Sequence, residues 1–137
     1  MPSPKSVIVD TSALYALVSA TDAFHTQAKS SYERLLDWEW EMVITSYILV
    51  EASALVHHRL GFQPLKTFMD SALSELIRIV WIDNTIHREA WERMMQVQGR
   101  DLSLVDWTTI IVAERLKASV FTFDHGFRQQ GSLIFPH

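Results

Sequence analysis

The sequence predicts an α/β protein: one domain over residues 1–137, with a central parallel sheet of four to five strands flanked by helices. Three observations carry this. Short β-rich runs alternate with longer stretches at helical spacing, the pattern of strands joined by crossover helices. The first run, Val7-Ile8-Val9, is built of residues that favour a buried strand. And 137 residues, nearly half of them apolar, run without repeat, low-complexity tract or linker. A chain of this length buries roughly two-thirds of its unfolded surface and needs neither metal nor disulfide to hold a core.

The elements follow in order. Ser6–Val9 is the first strand. Thr11–Ser19 is a short apolar helix. Phe24–Trp38 places Ala28, Tyr32, Leu35 and Leu36 on one helical face. Met42–Ile44 is the second strand, followed past the cap candidates Thr45-Ser46 by Tyr47–Arg59, a helix carrying Ile48, Leu49, Ala52, Leu55 and Val56. Gly61-Phe62-Gln63-Pro64 stops that helix and allows a restart at Leu65–Ser74. Leu76–Ile82 is the third strand, Ile86–Val97 and Leu104–Leu116 are helices, and Ser119–Phe123 is the fourth strand. Ser132–Phe135 is a candidate fifth.

Composition narrows the function. The absence of cysteine excludes disulfides, thiolate nucleophiles and Cys-rich zinc sites, and fits a reducing cytoplasm. The N-terminus has one lysine and too short an apolar run for a signal peptide, and no stretch approaches the ~20 apolar residues of a membrane span. Twelve Lys and Arg against sixteen Asp and Glu give a net charge of −4. That argues against broad nucleic-acid binding through a basic face, but not against a nucleic-acid enzyme whose acidic site is neutralised by a cation.

In such a fold each helix N-terminus lies at the carboxyl edge of the sheet, where open α/β sheets bind ligands. Four acids are thereby placed on one rim. Asp10 ends the first strand in "VIVDTSAL", Glu51 lies early in the helix after the second, Asp106 is in the first turn of the helix opened by Ser103, and Asp124 follows the fourth strand in "VFTFDHGF". Each has an ordinary local reading: Asp10 as an N-cap, Ser103-Leu104-Val105-Asp106 as a capping box, Glu51 as an exposed helix acid, Asp124 as a turn residue. None of these explains the convergence. Like charges crowded on one edge are unfavourable unless a cation or protons compensate. Oxygen-only donors, without histidines at metal spacing, suit Mg²⁺ or Mn²⁺, and such an ion fits a metal-dependent phosphodiesterase.

The motifs "VIVDTSAL", "TSYILVEASAL", "RDLSLVDWTTIIVAERL" and "VFTFDHGF" resemble, in order and spacing, those of PIN-domain ribonucleases, nearest to the VapC-like toxins of toxin–antitoxin pairs. "HTQA" at the start of the second helix has the His-x-x-Ala look common there. The resemblance implies a Mg²⁺- or Mn²⁺-dependent endoribonuclease with its acidic quartet on Asp10, Glu51, Asp106 and Asp124, and with the first and fourth strands adjacent. It also implies a homodimer and, in toxin–antitoxin pairs, an inhibitory antitoxin that inserts a basic C-terminal segment into the acidic site. The family includes members without an antitoxin that act in RNA processing.

On this reading Asp10 and Asp106 hold the principal cation, while Asp124 and Glu51 bind a second ion or orient its waters. Ser12 and Thr122 are placed to hydrogen-bond carboxylates or phosphate oxygens, or serve as ordinary loop and strand hydroxyls. His57-His58 and His125 read as surface and turn residues, and Arg59, Arg100, Arg115 and Arg128 as solvated cations able to steer RNA. The five tryptophans read mostly as core or dimer interface. A phospho-accepting receiver domain fits poorly, because Asp10 stands alone after "VIV" and no lysine follows Ser132. A haloacid-dehalogenase-type phosphatase would need an acid where Ser12 stands. A non-catalytic module of the same fold, binding RNA or protein, stays open at this point.

Overall fold

A computed structural model describes residues 5–72 and 76–136. Five strands form one parallel sheet: β1 (Ser6–Val9), β2 (Glu41–Thr45), β3 (Ile77–Val80), β4 (Ser119–Phe121) and β5 (Ile134–Phe135), in the spatial order β3-β2-β1-β4-β5. The helices are α1 (Thr11–Val18), α2 (His25–Asp37), α3 (Ser46–Leu60), α4 (Phe62–Ala72), α5 (Asn84–Val97), α6 (Leu104–Leu116) and α7 (Gly126–Gln129). None of the described helices is long and apolar enough to cross a membrane.

The inner strands are fully buried. Val7, Ile8, Val9, Val43, Ile44, Val120 and Phe121 are all within 1% of complete burial, and helix α6 packs Ile110 and Ile111 into the same core. Each such side chain contributes about 1.5–3 kcal/mol relative to leaving it in water, so the centre of the sheet anchors the core.

The topology determines where a site can be. The chain builds outward from β1 to β2 and β3, then returns through α5 and α6 to place β4 on the other side of β1, with Val7, Ile8 and Val9 in register with Ser119, Val120 and Phe121. The implied adjacency of first and fourth strands is therefore observed. Where the winding direction reverses, the loops after β1 and β4 part and open a crevice at the carboxyl ends.

Element boundaries differ from expectation in ways that have local causes. The fourth strand ends at Phe121 rather than Phe123, because the N–H groups of Phe123 and Asp124 donate to Ser12 Oγ and Thr122 Oγ1 instead of to a neighbouring strand. The third strand is confined to Ile77–Val80, and Trp81 projects 70% exposed. Gly61 breaks the helical run at φ +96°, as expected, but α4 restarts at once at Phe62 and takes Pro64 into its first turn, where no helical N–H is lost. The expected end of that helix at Ser74 lies outside the described residues. Helix α7, four residues long, is too short to leave a periodic signal.

The tryptophans divide between core and surface. Trp107 alone is buried, Trp40 is half-buried, and Trp38, Trp81 and Trp91 are 50%, 70% and 49% exposed. Trp38 and Trp40 pack with Phe135 into an aromatic cluster that Arg34 and Lys5 cover.

Candidate active site

The crevice is an open cleft of about 820 Å³, and all four predicted acids, Asp10, Glu51, Asp106 and Asp124, line it. Asp10 is the best fixed. Its N–H donates to Phe121 O, which carries the β1–β4 pairing one residue beyond the strand, and its carboxylate is only 3% exposed. Both Ser12 Oγ (2.9 Å) and Thr122 Oγ1 (2.8 Å) donate to the same oxygen, Oδ2. The two hydroxyls are 3.2 Å apart, and each also accepts a backbone N–H from the segment after β4. Ser12 and Thr122 thus lash the two loops of the crevice together through Asp10. The N-cap expectation for Asp10 fails in one respect: it occupies the N-cap position of α1, but its side chain makes no capping bond. The hydroxyls hold it elsewhere.

Asp106 has its anticipated capping role and also lines the cleft. It completes a capping box, accepting the Ser103 N–H at 2.9 Å on Oδ2 while its own N–H donates to Ser103 Oγ. The cap fixes the carboxylate at the mouth of the cleft, half-buried. Burial, opposed by the Ser103 hydrogen bond and reinforced by the negative charges of Asp10 and Glu51, pushes its pKa up to about 6. Burial likewise raises the pKa of Asp10, against the hydroxyls of Thr122 and Ser12, with the Glu51 charge adding to the rise. Asp10, Glu51 and Asp106 therefore repel one another across the cleft.

Asp124 stands somewhat apart. It lines the same cleft, but its Oδ1 accepts the Gly126 N–H at 2.9 Å and so shapes the turn into α7. A Cβ on Gly126 would meet Leu102 Cδ2 at 2.8 Å and Asp124 Oδ1 at 3.3 Å, which explains glycine at this position. Among the described residues no three acids or histidines are drawn close enough to hold an ion as they stand. The site is a shared acidic wall, not a preformed cage. Its donor chemistry still fits a hard divalent cation: every group is a carboxylate, and two of them carry the proton-retaining shifts that a cation would reverse.

Sequence reasoning missed several cleft residues. Asp22 and Asp101 add two acids, from loops with no strand-end signal. Thr11, on the wall beside Asp10, has a buried hydroxyl without a partner among the described residues. Phe24, Tyr15 and Phe123 give the cleft an aromatic side. Of the polar residues weighed from sequence, Arg59 and His125 do line it, while His57 and His58 are exposed on α3, as expected.

Comparison with known proteins places this geometry. A family model described as "PIN domain" matches residues 7–133. The 23S rRNA-specific endonuclease VapC20 of Mycobacterium tuberculosis is 30% identical over 127 residues, covering 91% of this chain and 94% of that protein. The crystal structure of that VapC20, a Sarcin-Ricin loop cleaving toxin, superposes with a TM-score of 0.83 at 27% identity, over 93% of this chain and 97% of the other. VapBC2 from Rickettsia felis, solved with a promoter DNA fragment, shares the fold at a TM-score of 0.70 and 15% identity, over 93% and 95% of the two chains.

Proposed function

The chain belongs to the PIN-domain family as a VapC-like endoribonuclease, and we propose that Asp10, Glu51, Asp106 and Asp124 are its catalytic acids, acting with Mg²⁺ or Mn²⁺ on RNA phosphodiester bonds. The observation that carries this is the burial of Asp10 at the winding reversal, pinned by two hydroxyls and facing Glu51 and Asp106, with the Glu51 charge adding to the raised proton affinity of Asp10 and Asp106. A fold does not crowd charges in this way for stability, since unpaired carboxylates in a half-buried cleft are unfavourable.

Asp10 and Asp106 would hold the principal ion, with Glu51 and Asp124 completing its surroundings. A divalent cation bound there supplies an activated water and positive charge for the departing oxygen. The protein supplies position. Ser12 and Thr122 keep Asp10 from turning, and Ser103 keeps Asp106 at the mouth of the cleft. Such supporting hydrogen bonds typically account for 10–100-fold in metal affinity or activity.

The partners follow from the same reading. The substrate is RNA, and the natural inhibitor is an antitoxin whose basic segment enters a cleft lined by six carboxylates, Asp10, Asp22, Glu51, Asp101, Asp106 and Asp124. A homodimer is supported by apolar side chains left exposed on neighbouring helices: Val50 on α3, and Trp91, Met95 and Val97 on α5, helices joined by the Tyr47 Oη–His87 Nδ1 hydrogen bond of 2.7 Å.

The test is incubation of the purified protein with a mixed RNA pool, with Mn²⁺ or with EDTA, beside Asp106→Asn. Cleavage is expected only for wild type with Mn²⁺. EDTA-resistant cleavage, or full activity in the variant, would overturn the assignment.

A further inference from the structure

Among the described residues six carboxylates line the cleft, against one guanidinium, that of Arg59. Even with cations bound, such a surface holds a polyanion weakly, so part of the affinity for RNA must come from something other than charge. Nucleobases offer flat faces, and base–aromatic stacking contributes about 1–3 kcal/mol per base. The cleft has one aromatic residue suited to it. Resting on the nuclease reading above, we infer that Phe24 is the stacking platform for an unpaired nucleobase of the substrate, with Arg59 taking a neighbouring phosphate.

Phe24 is 45% exposed although it lines the cleft. It occupies the N-cap position of α2, where Ser, Thr, Asp or Asn would be favoured, and makes no side-chain capping bond. Its ring lies against Phe123 at 4.6 Å between centroids and 9° between planes. One face is thereby covered, and the exposed surface belongs to the other face and the edge, where a base would continue the stack.

The platform is held in register with the carboxylates. The Phe24 N–H donates to Asp22 Oδ1 at 2.9 Å, fixing the backbone. Phe123 packs edge-on against the buried Phe121, and its N–H donates to Ser12 Oγ, which in turn donates to Asp10. A base resting on Phe24 is therefore referenced to Asp10 through two short links. The exposed tryptophans do not compete for this role: none lines the cleft.

Arg59 completes the arrangement. Its guanidinium lies 5.2 Å over the Tyr15 ring on the same cleft, and it is absent from the ion pairs of the described residues, which use Arg78, Arg93 and Arg115. Its charge is available to a phosphate. A paired base cannot offer its face in this way, so the inference makes the substrate single-stranded or looped at the cleavage site.

The test uses short single-stranded RNAs carrying the fluorescent base 2-aminopurine at successive positions, bound in Ca²⁺ to hold cleavage off, with steady-state cleavage measured separately in Mn²⁺. Wild type and Phe24→Trp should quench one position selectively, and Phe24→Ala and Phe24→Leu should not. Phe24→Ala should weaken binding about 5- to 150-fold and raise KM by more than it lowers kcat, because stacking is made equally in ground and transition states. Arg59→Gln should flatten the salt dependence of log K by about 0.7. Quenching retained in Phe24→Leu, or unchanged binding in Phe24→Ala, would overturn the platform while leaving Mn²⁺-dependent cleavage, and its loss in Asp106→Asn, intact. Absence of Mn²⁺-dependent cleavage by wild type would overturn the nuclease reading and the platform with it.

Discussion

Asp106 is held by its helix and opposed by its neighbours at the same time. The capping box fixes it, while burial and the charges of Asp10 and Glu51 raise its pKa to about 6. A carboxyl whose pKa rises on folding favours the folded state only while protonated. Its contribution is complete below the unfolded value of 3.8 and is lost as pH rises through about 6. Asp106→Asn keeps an oxygen to accept the Ser103 N–H and removes the charge. In EDTA at neutral pH the variant should therefore melt above wild type, with the gap closing towards pH 4; Mn²⁺ should reverse the order at neutral pH by binding wild type alone. A wild type more stable than the variant in EDTA at neutral pH would contradict the crowding. At this scale the four acids were legible because each follows a strand or lies early in a helix, on the carboxyl side of the sheet. Phe24 was not, because an exposed aromatic at a helix start has no periodicity to betray it, and its meaning lies in Phe123, far away in the chain.

Among the elements, the joint between α3 and α4 depends most on a single residue. Gly61 adopts φ 96° and ψ −174°, a region essentially closed to residues with a Cβ, although open space surrounds it. Gly61→Ala should cost about 1–3 kcal/mol of stability, read as a lower denaturation midpoint at constant slope. No loss would mean that the joint relaxes freely. Gly61 was readable as a helix stop. The immediate restart at Phe62 was not, since Pro64 suggests a later start unless the first turn is known to tolerate it. The same distinction explains β4. Its apolar run reads through Phe123, but the pairing stops after the Thr122 N–H reaches Phe135 O, because side-chain hydroxyls claim the N–H groups of Phe123 and Asp124. Strand cores follow from composition, whereas strand ends follow from tertiary hydrogen bonds that a single sequence does not display.

For the molecule as a whole, strand order is what converts four separate acids into one site. Alternating strands and helices predict a parallel sheet, but it is the order β3-β2-β1-β4-β5 that puts the ends of β1 and β4 side by side. That adjacency came from family resemblance, not from periodicity, and the matched PIN-domain model and the VapC20 superposition agree with it. The cleft that results is strongly acidic within a chain of net charge −4, so the proposed action on RNA would require a divalent cation. The most direct measurement is calorimetric titration of Mn²⁺ into wild type and Asp106→Asn at about pH 7.5 and about pH 5, because carboxylate ligands must give up their protons to bind. Wild type should bind at the higher pH, lose affinity as pH falls through the Asp106 pKa of about 6, and bind far more tightly than the variant. Affinity that is flat across that range, or equal in the two proteins, would contradict the account.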